Sequence, residues 1–263
     1  MPQLSRDSVA LFYQDAGQGE PPIVLIHCWG GNHTMMGRQH DYLRRRHRVV
    51  SLDMRGHGQS DKPRQAYTVA GFADDVRFIL GELAISKPVL VGHSMGGTIA
   101  LETAARFPEI PSGVVILEAL VVAPAALVDR FRPVLDGVRS PAYETVMRQF
   151  NDQLLGTRFD PQERERILDQ MTTTPQHVAV SALEDLLAYD SAAAAAKCKV
   201  PILYVSSGPW YTDVQRFREL CPQLLTAQTV GSGHHLQSEV PEQVNAIIDR
   251  FVSVYAVPPH ASS

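Results

Sequence analysis

The chain has 263 residues, 44% of them apolar and 20% charged, with a formal charge of −4, which suits one large α/β domain or two small ones. No Lys/Arg stripe marks a nucleic-acid partner, and the short basic run Arg44-Arg45-Arg46 reads as a solvated face. No apolar run reaches membrane-spanning length, the N-terminal residues lack a signal-peptide core, and Cys28, Cys198 and Cys221 neither pair off completely nor fit a zinc pattern; a reducing cytoplasm is the simplest home.

Short apolar runs recur along the chain: Ile23–Ile26, Val49–Leu52, Pro88–Val91, Val114–Leu117 and Ile202–Val205. Each reads as a strand buried on both faces, as in a parallel sheet covered by helices. Val69–Leu83 and Gly97–Phe107 carry apolar residues at helical spacing. The alternation predicts a doubly wound, mostly parallel sheet. From Val121 to Lys199 no strand is convincing, and helices are expected over Ala125–Leu135, Tyr143–Leu155, Pro161–Met171 and His177–Tyr189, with a helix or turn through the alanines 192–196. The expected organisation is a core of residues 1–120 and 197–263 with a helical cap at 121–196. Two further strand candidates follow, then a helix near Pro241–Tyr255.

The chemistry centres on Val91-Gly92-His93-Ser94-Met95-Gly96-Gly97, a strand running straight into G-x-S-x-G and then a helix with small residues. A sharp strand-to-helix turn exposes the serine hydroxyl and aims a helix N-terminus at developing negative charge. Ser94 is therefore the candidate nucleophile. With His27-Cys28-Trp29-Gly30-Gly31 after the first buried strand, and Asp53-Met54-Arg55-Gly56-His57-Gly58-Gln59-Ser60 after the second, the chain resembles the α/β-hydrolase superfamily over most of its core. The resemblance implies an oxyanion hole from the backbone N–H groups of Met95 and Trp29. Cys28 stands where the family usually has glycine; it reads as a packed small side chain rather than a second nucleophile. Asp53 and His57 read as scaffold.

The family order, nucleophile then acid then base, makes His234 of Gly231-Ser232-Gly233-His234-His235 the base. Adjacent histidines raise a metal reading, but no metal-binding motif accompanies them and no metal or cofactor is expected. The acid departs from the usual pattern. After Ile202–Val205 the customary carboxylate position falls on Trp210, with Asp213 three residues on; at the end of the preceding strand stands Glu118, directly after Val114–Leu117. A carboxylate there is costly to desolvate without a partner, and a triad histidine supplies one. Glu118 is the expected acid, and Asp213 stays open.

An acid at this earlier strand end is similar to two branches of the family, the zearalenone-type lactone hydrolases and the cofactor-independent quinolone 2,4-dioxygenases. The run Leu117-Glu118-Ala119-Leu120-Val121-Val122-Ala123-Pro124, with Trp29 and His33, resembles the second. Three functions follow as expectations. One is a serine hydrolase of a hydrophobic ester or lactone, with Cys28, His33, Leu120, Val121 and His235 bordering the pocket. The second is a cofactor-free dioxygenase using a His234–Glu118 dyad. The third, a non-catalytic receptor, is weakened by the presence of every triad element. Oligomeric state is open.

Overall fold

A computed structural model describes residues 2–156, 159–208 and 211–256. Eight strands form one sheet: β1 (Gln3–Arg6), β2 (Val9–Ala16), β3 (Ile23–Ile26), β4 (Val49–Leu52), β5 (Val89–His93), β6 (Gly113–Leu117), β7 (Ile202–Ser206) and β8 (Leu224–Gln228). Their order in the sheet is β1-β2-β4-β3-β5-β6-β7-β8, with β1 and β2 antiparallel and the rest parallel. The strands expected from continuous apolar runs are those buried on both faces, β3 to β7. β1 and β2 escape the pattern because most of their residues are exposed or half-buried, as an antiparallel edge that need not be covered on both faces allows.

Helix α1 (Gly37–Leu43) lies between β3 and β4, α2 (Val69–Glu82) precedes β5, and α3 (Met95–Arg106) follows it. Thr68 caps α2 by accepting a hydrogen bond from Gly71 N–H. Between β6 and β7 the chain forms α4 (Ala125–Asp129), α5 (Arg132–Arg139), α6 (Tyr143–Leu154), α7 (Pro161–Met171), α8 (Gln176–Ala188) and α9 (Ser191–Lys197). The single helix expected over 125–135 is instead two, with Pro133 in the first turn of α5. α7 starts where Asp160 accepts from the N–H groups of Gln162 and Glu163, with Pro161 at the first helical position. The alanine tract is α9, capped by Asp190 and packed against α3. After β7 come α10 (Val214–Leu220), β8, α11 (Leu236–Glu239) and α12 (Pro241–Phe251), which ends in a π-helical turn over Val252–Ala256.

Arg44 pairs with Asp41 at 3.0 Å and Arg46 with Asp249, so the basic run is a solvated, ion-paired face. Cys28, Cys198 and Cys221 are all free and buried. Among the described residues, no helix is long and apolar enough to cross a membrane.

Candidate active site

The carboxyl ends of β5 and β6 position Ser94 and Glu118, the two candidate residues that follow these strands. Ser94 N–H donates to Leu117 O at 2.9 Å and Glu118 N–H donates to Val205 O at 2.9 Å, which extends the sheet ladder one residue past each strand. Both residues then leave the strand with a left-handed backbone, φ +53° at Ser94 and +49° at Glu118. For residues with a Cβ this conformation costs on the order of 1–3 kcal/mol and persists only where the surroundings impose it. The turn at Ser94 can close only because its flanking positions are glycine. A Cβ on Gly92 would strike the Gly96 carbonyl, and one on Gly96 would strike the carbonyls of Ile26 and His27. Ser94 takes the N-cap position of α3, yet its side chain caps nothing. The first N–H groups of α3 are thus left for an incoming anion.

Next to this turn, the loop after β3 is set by a neutral histidine. His27 Nε2 accepts from Met54 N–H at 3.1 Å, so Nδ1 carries the proton and donates to Cys28 O at 2.7 Å. Burial holds His27 below the ordinary histidine range, which protects that tautomer. Trp29 follows, buried, with its indole N–H fixed on Ala179 O at 2.9 Å.

Asp53 organises the neighbouring turn, accepting from His33 N–H at 2.6 Å, His33 Nδ1–H at 2.8 Å and Gln59 N–H at 2.8 Å. His57 donates from Nδ1 to Arg55 O at 3.0 Å, and burial pushes it down to about 3, so it stays neutral. Both residues are scaffold in this geometry.

Ser94, Met95, Glu118 and His234 line one partly open pocket with a predominantly apolar wall, the character of small-molecule sites. Cys28, Trp29, Leu120 and His235 also line it. His33 and Val121 do not. His33 is held against Asp53 at 2.8 Å, and Val121 is fully buried in the main core. The rest of the wall was invisible in the sequence: Phe131, Phe150, Asn151, Leu154, Met171, Leu183 and Leu186 come from the helices between β6 and β7, and Tyr211 from the loop after β7. Their apolar spacing marks them as helix faces, but no local signal says what those faces meet.

Glu118 is buried, with 1% of its surface exposed, and the loop after β7 holds it. Ser207 donates to Glu118 from its N–H at 2.5 Å and from its hydroxyl at 2.7 Å. Burial nevertheless pushes the Glu118 carboxyl up to about 7; the two Ser207 donors oppose that rise and Glu239 adds to it. His234 sits beside Tyr211 with ring centroids 5.7 Å apart. Burial, then the adjacent His235, pushes its imidazole down to about 3. Its Nδ1 is buried without a hydrogen-bond partner among the described residues, so the cavity brings His234 and Glu118 together without yet joining them. Ser207 is the site residue that sequence reasoning missed. Asp213 is engaged elsewhere: it caps α10 by accepting from Arg216 N–H at 2.9 Å. Trp210 lies outside the described residues.

Residues 21–241 match the family model described as alpha/beta hydrolase fold. The chain belongs to the alpha/beta-hydrolase family. Over nearly its whole length (94% of this chain, 97% of the relative) it is 27% identical to the AB hydrolase superfamily protein YisY of Bacillus subtilis (strain 168). It is 41% identical over 107 residues to an uncharacterised protein of Mycobacterium tuberculosis (strain ATCC 25618 / H37Rv), a match that spans 41% of this chain and only 31% of that relative. Among solved structures it is similar to Est816, described as an N-acyl homoserine lactone degrading enzyme, at a TM-score of 0.83 and 27% identity, covering 95% of this chain and 100% of that one. In alpha/beta hydrolases the elbow fixes where the reacting atom must sit. Here the elbow lines the cavity that Phe131 and residues of α6 to α8 also line.

Proposed function

We propose that this alpha/beta hydrolase cleaves a carboxylic ester or lactone through an acyl-enzyme on Ser94, with His234 as base, Glu118 as acid and the N–H groups of Trp29 and Met95 as oxyanion donors. The observation that carries the reading is the Ser94 elbow, opening into the one cavity that also holds His234 and Glu118. His234, neutral at pH 7, takes the Ser94 hydroxyl proton as Oγ attacks the carbonyl carbon. The carbonyl electron pair moves onto oxygen, where the two N–H groups hold it. The imidazolium then needs an acceptor at Nδ1, and Glu118 is the carboxylate in the same cavity. Collapse of the intermediate expels the alcohol oxygen with the proton from His234. Water repeats the sequence to free the acid and Ser94.

The helices at 121–196 act as a cap, and their Phe131, Phe150, Leu183 and Leu186 make the wall apolar, which favours hydrophobic acyl or alcohol parts. The similarity to Est816, described as degrading a lactone, supports the same substrate class. The dioxygenase reading loses the support of His33, whose ring is bound to Asp53 away from the cavity. The site needs no cofactor for this chemistry.

The test is Ser94→Ala together with covalent labelling. An organophosphonate should add one label to Ser94, and Ser94→Ala should lower turnover of esters and lactones by on the order of 10³-fold or more. Near-normal turnover in Ser94→Ala, with oxygen consumed, would overturn the hydrolase reading.

A further inference from the structure

Beside Ser94 the apolar cavity contains a polar pair that the proposed reaction does not use. His235 is fully buried and lines the cavity, yet neither of its ring nitrogens has a partner among the described residues. Buried polar atoms in native proteins are overwhelmingly paired, and an unpaired one costs about 1–3 kcal/mol. Cys28 lines the same wall, and its Sγ, a ring nitrogen of His235 and a ring nitrogen of His93 lie within 4.8 Å of one another.

Three such ligands invite a metal reading, and the hydrogen bonds argue against it. His93 is committed at both nitrogens: Nε2 donates to His234 O at 2.9 Å, and Nδ1 accepts from Gln237 Nε2 at 3.2 Å. Burial pushes the Cys28 thiol up to about 12 and holds His235 well below the ordinary histidine range, so both groups are neutral at pH 7. A divalent ion would therefore find one free imidazole and one protonated thiol in an apolar wall, where an uncompensated charge is expensive. Anions fare no better, because neither group offers a positive charge. What the pair does offer is one N–H, one ring lone pair and a weak S–H donor.

We propose that His235 and Cys28 form a polar subsite within the Ser94 cavity that takes an uncharged substrate group able both to donate and to accept a hydrogen bond, a secondary amide or a hydroxyl. This rests on reading the cavity as the substrate site. The substrate class is thereby narrowed to esters or lactones that carry such a group on an otherwise apolar chain. A site built to hydrogen-bond a substrate group discriminates against the analogue lacking it, because its own polar atoms are then left bare.

Calorimetric titration of the full chain with two uncleaved probes, N-hexylacetamide and an ether of equal length, tests the subsite without depending on turnover. The amide should bind on the order of tenfold more tightly than the ether, as one added hydrogen bond allows. His235→Leu should bring the two affinities to parity. Should His235→Leu fail to fold, Cys28→Val, which fills the subsite and leaves His235 in place, should reduce the preference several-fold. Equal affinities in the wild type would overturn the proposal. So would a preference unchanged in the variants, since the amide would then be resting on the oxyanion N–H groups. Neither result would touch the hydrolase reading, which stands or falls on Ser94 labelling.

Discussion

The ends of β5 and β6 lie side by side and make the same backbone move, yet they are held by different means. At β5 the turn is closed by its own glycines: Gly92 and Gly96 let the backbone pass close to itself and to β3, and among the described residues the Ser94 side chain is held by no distant side chain. At β6 the turn delivers a carboxylate into an apolar wall, and it is satisfied by Ser207, 89 residues away on the loop after β7. Local sterics suffice for a neutral hydroxyl. A buried charge needs partners, and partners come from tertiary structure.

The largest effect should come from breaking the local side. Gly96→Val places a side chain against the carbonyls of Ile26 and His27, which are backbone and cannot move aside. Thermal unfolding should show a loss of more than about 3 kcal/mol, with turnover abolished. A stability change under about 1 kcal/mol would mean that the elbow tolerates rearrangement.

On the other side, Glu118→Gln keeps the shape and removes the charge. Turnover should fall by about 10²- to 10⁴-fold, as loss of a triad acid does. Because the folded Glu118 is raised to about 7, its contribution to stability is fully present below its ordinary value of 4.5 and is lost as pH rises through 7. Glu118→Gln should therefore match the wild type in unfolding free energy near pH 4 and exceed it at pH 8 by on the order of a few kcal/mol. His234 runs the opposite way. Its value is lowered from 6.5 to about 3, so its contribution is present above 6.5 and is lost as acid approaches 3. The residual activity of Glu118→Gln should accordingly lose the acid limb near pH 7 and stay level to below pH 5. A limb that remains near pH 7 would assign it to another group.

Ser207→Ala is the subtler break. It deletes the hydroxyl donor and leaves the N–H, so the Glu118 carboxyl should rise further. The acid limb of kcat/KM should move to higher pH and activity at pH 7 should drop about tenfold, with Ser207→Thr restoring both. An unmoved limb would reduce Ser207 to a structural contact. The smallest effect belongs to Asp213→Ala, which removes the cap of α10: about 1 kcal/mol of stability, with turnover within a few-fold of wild type. A turnover loss as large as that of Glu118→Gln would shift the acid to the later loop.

Residue order alone determined the parallel strands, the elbow and its serine, the Gly-x-Gly-His segment bearing His234, and Glu118 as a carboxylate stranded after apolar residues. Each of these depends on neighbours close in the chain, through strand burial, steric closure of a turn or the cost of one charge. The cavity wall contributed by Phe131 and α6 to α8, the hold of Ser207 on Glu118, the seat of His33 on Asp53 and the approach of Cys28 to His235 were decided only by tertiary structure. An apolar helix face or a lone polar side chain declares that it needs a partner. Which partner it meets depends on how strands far apart in the chain are ordered in the sheet, and no local pattern encodes that.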